Sequence, residues 1–256
     1  MHRPAQRLTR ILACAAAVPV ILVASGCTSG SGDGGSEPGD GSSSAASKDS
    51  GSDGAAGAQP AYSALPGACK TLSDKTLEKL VPEADPSGTM AKSADTSVRS
   101  SCSWSSLDNN GVKGSQFRWL NVSLVRFTSD QSRDGATTQA SQYYAKQVAG
   151  AKATEGATGV SSQPVSGTGD AATAVNYGLK KDEGSFKQQT VVTRIQNVVV
   201  TVDYNGAGLA GEKAPDTSGL LQDTQSAAKE AIAAVVAANG SSASGSSSSG
   251  SSDSSS

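Results

Sequence analysis

The chain has 256 residues, of which 17% are charged and 4% aromatic, with a formal net charge of −2. Its one histidine is His2, so the body of the protein lacks the commonest general base. That excludes Ser-His and Cys-His nucleophile arrangements and zinc spacings such as His-Glu-x-x-His.

Arg3, Arg7 and Arg10 precede an apolar stretch from Ile11 to Ala24, the layout of a secretory signal that is removed rather than folded. At about 14 residues the stretch is shorter than the roughly 20 that a spanning helix needs, and Pro19 interrupts it. Cys27 follows directly on Leu22-Val23-Ala24-Ser25-Gly26. This segment resembles the lipobox of bacterial lipoproteins, with Ala24 where leucine is commonest. The resemblance implies that residues 1–26 are a lipoprotein signal peptide. Cys27 then becomes the lipidated first residue, which holds the chain to the extracytoplasmic side of the cell membrane. A plain secreted protein and a retained membrane anchor are the alternatives. Loss of the leader removes three arginines and no acid, taking the net charge to about −5. That balance argues against nucleic acid as a partner.

Cys14 departs with the leader and Cys27 takes the lipid, so Cys69 and Cys102 remain. Outside the membrane two such cysteines most simply form a disulfide; a redox role would call for closer spacing, as in Cys-x-x-Cys. Residues 27–64 are Gly, Ser, Ala and Asp with almost no large apolar residue, and such a segment cannot bury enough surface to order itself. It reads as a disordered tether with an r.m.s. span of about 30–35 Å. Residues 240–256 read as a second disordered Gly/Ser tail, leaving one domain over 65–239.

Within that domain, Ser73 is placed to N-cap a short helix, with Asp74 in the first turn and Leu72 and Leu77 as a hydrophobic staple. Leu77, Leu80 and Val81 form its buried stripe and Pro82 stops it. Residues 101–105 read as a strand with Trp104 as the large residue. After the turn at Asp108-Asn109-Asn110-Gly111, residues 117–127 return. On this second strand Trp119, Asn121, Ser123 and Val125 share one face, and Leu120, Val122, Leu124 and Arg126 the other. A helix follows over 135–149 with Ala136, Ala140, Tyr143, Tyr144 and Val148 apolar. A Gly/Thr-rich loop then leads to Gly167-Thr168-Gly169-Asp170. Three strands come next, 171–179, 186–195 and 198–204, joined by turns at 180–185 and Gln196-Asn197. The last helix covers 218–238, begins at Asp216 or Thr217, and ends at Asn239-Gly240. Its apolar positions are Leu221, Ala228, Ala231, Ile232, Val235 and Val236. The expected fold is α+β: an antiparallel sheet of about five strands covered by helices on one side.

Cys69-Lys70-Thr71-Leu72, Cys102-Ser103-Trp104 and Gly167-Thr168-Gly169-Asp170 together resemble a domain-of-unknown-function family of actinobacterial lipoproteins. The similarity runs over about 65–239, with Ser73 where a second leucine often stands. The family is similar in outline to PsbP-like α/β/α sandwiches. That implies a binding or scaffold role, with no catalytic residues to carry over.

The candidate sites are few. Gly167 to Asp170 lacks the preceding parallel strand, third glycine and lysine of a phosphate loop, and reads as a turn feeding a strand. Lys180-Lys181-Asp182-Glu183 is either a recognition tip or an ordinary solvated turn. Asp170, Asp203 and Glu183 lie at strand ends or turns and could serve a carboxylate-dependent hydrolase of cell-wall glycans, chemistry that needs no histidine. Trp119, with Asn121 and Ser123 beside it, is either core or an exposed anchor for a partner. No motif calls for a metal or cofactor. The expected role is noncatalytic binding of an envelope protein or a small apolar ligand, with the glycan hydrolase as the alternative.

Overall fold

The computed structural model describes residues 60–109, 111, 114–129, 134–182 and 184–243. The leader, Cys27, the tether as far as residue 59, Asn110, Glu183 and the tail beyond 243 lie outside them. The class is α+β as expected, but the antiparallel sheet has seven strands rather than five. In chain order these are β1 (Thr89–Met90), β2 (Arg99–Asn109), β3 (Ser115–Arg126), β4 (Thr158–Pro164), β5 (Ala171–Lys181), β6 (Gly184–Ile195) and β7 (Val198–Leu209). Across the sheet they run β1-β2-β3-β7-β6-β5-β4. The helices are α1 (Asp74–Leu80), α2 (Ala136–Lys152) and α3 (Thr217–Ala243), with a 3-10 turn at Ala68–Lys70.

The two additional strands are the sheet's edges. Every residue of β4 is exposed, so it carries no apolar alternation and holds to β5 through its backbone. It lies in the segment that composition assigns to a loop. β1 is two exposed residues long.

The first face of the sheet carries the main core. Cys102, Trp104, Leu120, Val122, Leu124, Val191, Val200 and Val202 pack there against the 3-10 turn, α1 and α3. The Leu120/Val122/Leu124 face expected of β3 is fully buried. Ser73 accepts the Thr76 amide at 3.3 Å and caps α1 as anticipated. Asp216 caps α3, accepting the Gly219 amide at 2.7 Å. The buried stripe of α3 differs by one position at its start: Leu220 is inside with Thr224, Ala227, Ala228, Ala231, Ile232 and Val235, whereas Val236 is 42% exposed. The run of alanines lets the helix backbone approach the sheet closely. The helix also continues past Asn239-Gly240 to Ala243. Asn239 is spent elsewhere: its Oδ1 accepts the Ser63 and Ala64 amides at 2.9 and 3.0 Å.

Cys69 and Cys102 are bridged, with Cα atoms 5.1 Å apart. Gly88, at φ +62°, passes so close that a Cβ would lie 2.7 Å from Cys102 Sγ and 2.6 Å from Trp104 Nε1.

The expectation of helices on one side only is corrected by α2, which lies on the second face. Ala140 packs there on Val192 and Val199, with Phe127, Tyr143, Tyr144 and Val148 around them. The cause is legible in β6 and β7. Their buried runs (188–193 and 198–200) are continuous rather than alternating, the mark of strands covered on both faces.

Candidate functional site

Among the described residues α2 packs against β4 to β7, and no helix packs comparably over the second face of β2 and β3. Antiparallel register places the side chains of that face in transverse rows. One row is Ser105–Trp119–Asn205–Gln188–Tyr177, and the next toward the β2–β3 and β5–β6 turns is Leu107–Phe117–Ala207–Phe186–Leu179. Ala207 is fully buried. Flanking it in the row, the Phe117 and Phe186 rings meet edge to face with centroids 5.9 Å apart. Lys181, on the same face beyond Leu179, sets its Nζ 5.2 Å from the Phe186 centroid, a cation–π contact. Phe117, Trp119, Leu179, Lys181, Phe186, Gln188 and Asn205 line a groove of about 470 Å³.

Trp119 is therefore neither of the two extremes that sequence allows. It is half-buried on the uncovered face, while Trp104 on β2 is the core tryptophan, 3% exposed and donating to the Pro86 carbonyl at 3.2 Å. Asn205 Oδ1, in the Trp119 row, is buried and accepts no hydrogen bond, an unusual condition for a buried polar atom.

One row further in, a polar chain crosses four strands. Ser101 Oγ donates to Asn121 Oδ1 at 2.9 Å, the Asn121 side chain bonds to Asp203, and Thr190 Oγ1 donates to Asp203 Oδ1 at 2.6 Å. Burial pushes the Asp203 carboxyl above its ordinary pKa, against the lowering effect of Thr190 and Asn121. Asp203, Thr190, Thr201 and Tyr177 face the C-terminal half of α2 across a second hollow of about 600 Å³, lined opposite by Lys146, Gly150 and Thr154. Tyr177 shares its row with Gln188 and Asn205, so the two hollows adjoin. Asn121 belongs to this polar chain, and Ser123 sits half-buried in the next row, opposite Ser101 and Thr201.

Of the acids singled out by sequence, Asp170 and Asp203 do not converge. Asp170 accepts Arg194 Nη1 at 3.0 Å and the Gln196 amide at 2.7 Å. Arg194 lies four residues along β6 from Thr190, the partner of Asp203, which is about 13 Å. Glu183 is outside the described residues. The Gly167-to-Asp170 segment is a structural clasp. Gly169 has φ +63°, and a Cβ there would fall 2.5 Å from the Arg194 carbonyl, to which Asp170 donates its amide at 2.8 Å.

Sequence reasoning passed over Phe117, Phe186, Leu179 and Asn205 as site residues. Cross-strand register brings them together, and the only signal in the chain was aromatic residues near hairpin ends. Among the described residues no group of three or more His, Cys, Asp or Glu side chains could hold a metal ion. No described helix is long and apolar enough to cross a membrane.

No family model matches the chain, and no curated protein matches it. Among solved structures, LpqN, involved in cell envelope biogenesis of Mycobacterium tuberculosis, is similar at a TM-score of 0.29 and 13% identity, covering 58% of this chain and 89% of that one. At that score nothing about this chain follows from the likeness.

Proposed function

We propose that this protein is a noncatalytic binding module of the cell envelope, a member of the lipoprotein group it resembles, anchored through lipid on Cys27. Its binding surface is the uncovered part of the second sheet face. The observation that carries this reading is the row of Phe117, Phe186 and Leu179 beside Trp119 on the part of that face that α2 leaves open. A sheet face built only to meet water carries polar residues and isolated apolar ones. Aromatic side chains gathered in a groove mark a place where a partner or ligand removes them from water.

The carboxylate-dependent hydrolase keeps one supporting feature, the raised pKa of Asp203 beside a hollow. A glycosidase of the ordinary kind needs a second carboxylate within about 10 Å, and Asp170 is held by Arg194 instead. The binding reading is the better supported. Crosslinking on living cells, followed by affinity capture and mass spectrometry, tests it with Cys27→Ser as the untethered control. A partner recovered with the anchored chain and lost with the control supports an anchored module. Recovery of nothing from either form counts against it.

A further inference from the structure

The groove has a direction. Its apolar row runs from Leu179 through Phe186 and Ala207 to Phe117, and the same sheet row continues past the groove lining to the exposed Leu107, crossing five strands. At about 4.8 Å per strand that is a track of about 19 Å. Lys181 stands at the β5 end of the track and is the one charged side chain among the described residues that line the groove. No carboxylate of the described residues belongs to that lining. Asp203, on the same face, is four residues along β7 from Ala207, about 13 Å away. Asp182 follows Lys181 in the turn but does not line the groove.

Deepening the proposed binding role and resting on it, we propose that the groove takes a single-chain anionic amphiphile. Its apolar chain lies along Leu179, Phe186, Phe117 and Leu107, and its anionic head meets Lys181 Nζ. One further observation favours this ligand. Lys181 already sets its ammonium beside an aromatic ring, so it reaches over the apolar floor without leaving water.

Calorimetric titration of the full mature chain, carrying Cys27→Ser so that no lipid of its own competes, tests this with dodecanoate, dodecanol and dodecylammonium. Dodecanoate saturates one site and binds about tenfold more tightly than dodecanol, the scale of one charge-assisted contact. Dodecylammonium binds least. Lys181→Met removes the advantage of dodecanoate and leaves dodecanol unchanged, whereas Phe186→Ala weakens both. Equal affinity for acid and alcohol, an inert Lys181→Met, or no saturable dodecanoate binding overturns the proposal. If dodecanoate fails while anchored chains still capture a partner on cells, the ligand class falls and the binding module stands.

Discussion

The second face of the sheet is one pleated surface with two treatments. Under α2 it is closed by small and branched residues: Val192 and Val199 are 0 and 1% exposed beneath Ala140, and Tyr144 bonds to Thr173 at 2.6 Å. Toward the β2–β3 and β5–β6 turns the same strands, in the same register, present Phe117, Trp119, Phe186 and Leu179 half-buried, with no described helix packed comparably over β2 and β3. Strands that fold alike thus differ in cover: one end is filled by side-chain volume, and the other leaves large apolar side chains half-exposed, which is what the proposed binding role rests on.

Several substitutions can break or sharpen that contrast. The largest loss should come from the core behind the sheet. Replacing Cys69 and Cys102 by serine frees a 33-residue separation and costs about 3–4 kcal/mol by loop-closure entropy, read as a lowered denaturant midpoint. Next is the closed end of the second face. Val192→Ala removes two buried methyl groups and leaves a gap, costing about 2 kcal/mol in the same measurement.

Between the two ends, Asp203→Asn tests the polar chain through pH. The folded Asp203 pKa lies above its value of 3.8 in the open chain, so folding favours the protonated form. Its contribution is fully present below the unfolded pKa and is lost as pH rises through the folded pKa. Asp85, Asp95, Asp216 and Glu230, whose pKa values are lowered, act in the opposite sense in parent and variant alike, so the difference between the two isolates Asp203. In a pH series of unfolding midpoints the parent should lose ground to the Asn variant from about pH 4 upward, and the variant equals or exceeds the parent at neutral pH. The smallest effect on stability belongs to the open end. Trp119→Ala should cost no more than about 1 kcal/mol, because the ring is not enclosed by a helix. A loss of 3 kcal/mol or more, the scale of a buried aromatic, would place Trp119 in the core.

Much of the frame could be read from residue order. Ser73 caps α1, Pro82 follows its end, and the alternation of β3 assigned each residue from Trp119 to Val125 to its face. What escaped was whatever depends on register or on a partner strand. β4 carries no apolar pattern, because an exposed edge strand needs none: it is held by its backbone ladder to β5 and by polar contacts such as Asn176 Nδ2 donating to Ser161 Oγ at 2.8 Å. Which face α2 covers is not written in α2, whose apolar residues are mostly small or amphipathic; it is written in the two-sided burial of β6 and β7. The groove is assembled from four strands whose residues lie as far as about ninety positions apart in sequence, so no local motif announces it. Two asparagines made a similar point. Asn197, in the turn after Gln196 at φ +51°, and Asn239, near the end of α3, fasten residues 62–64, which composition alone gives to the tether.

The central claim is that the open end of the second face is where this protein meets its partner or ligand. A photo-crosslinking residue placed at position 119 in the anchored chain, with the same residue at the exposed position 236 on α3 as the control, tests it on living cells. The account predicts specific adducts from 119 and none from 236. Adducts from 236 alone, or the same adducts from both, would contradict it.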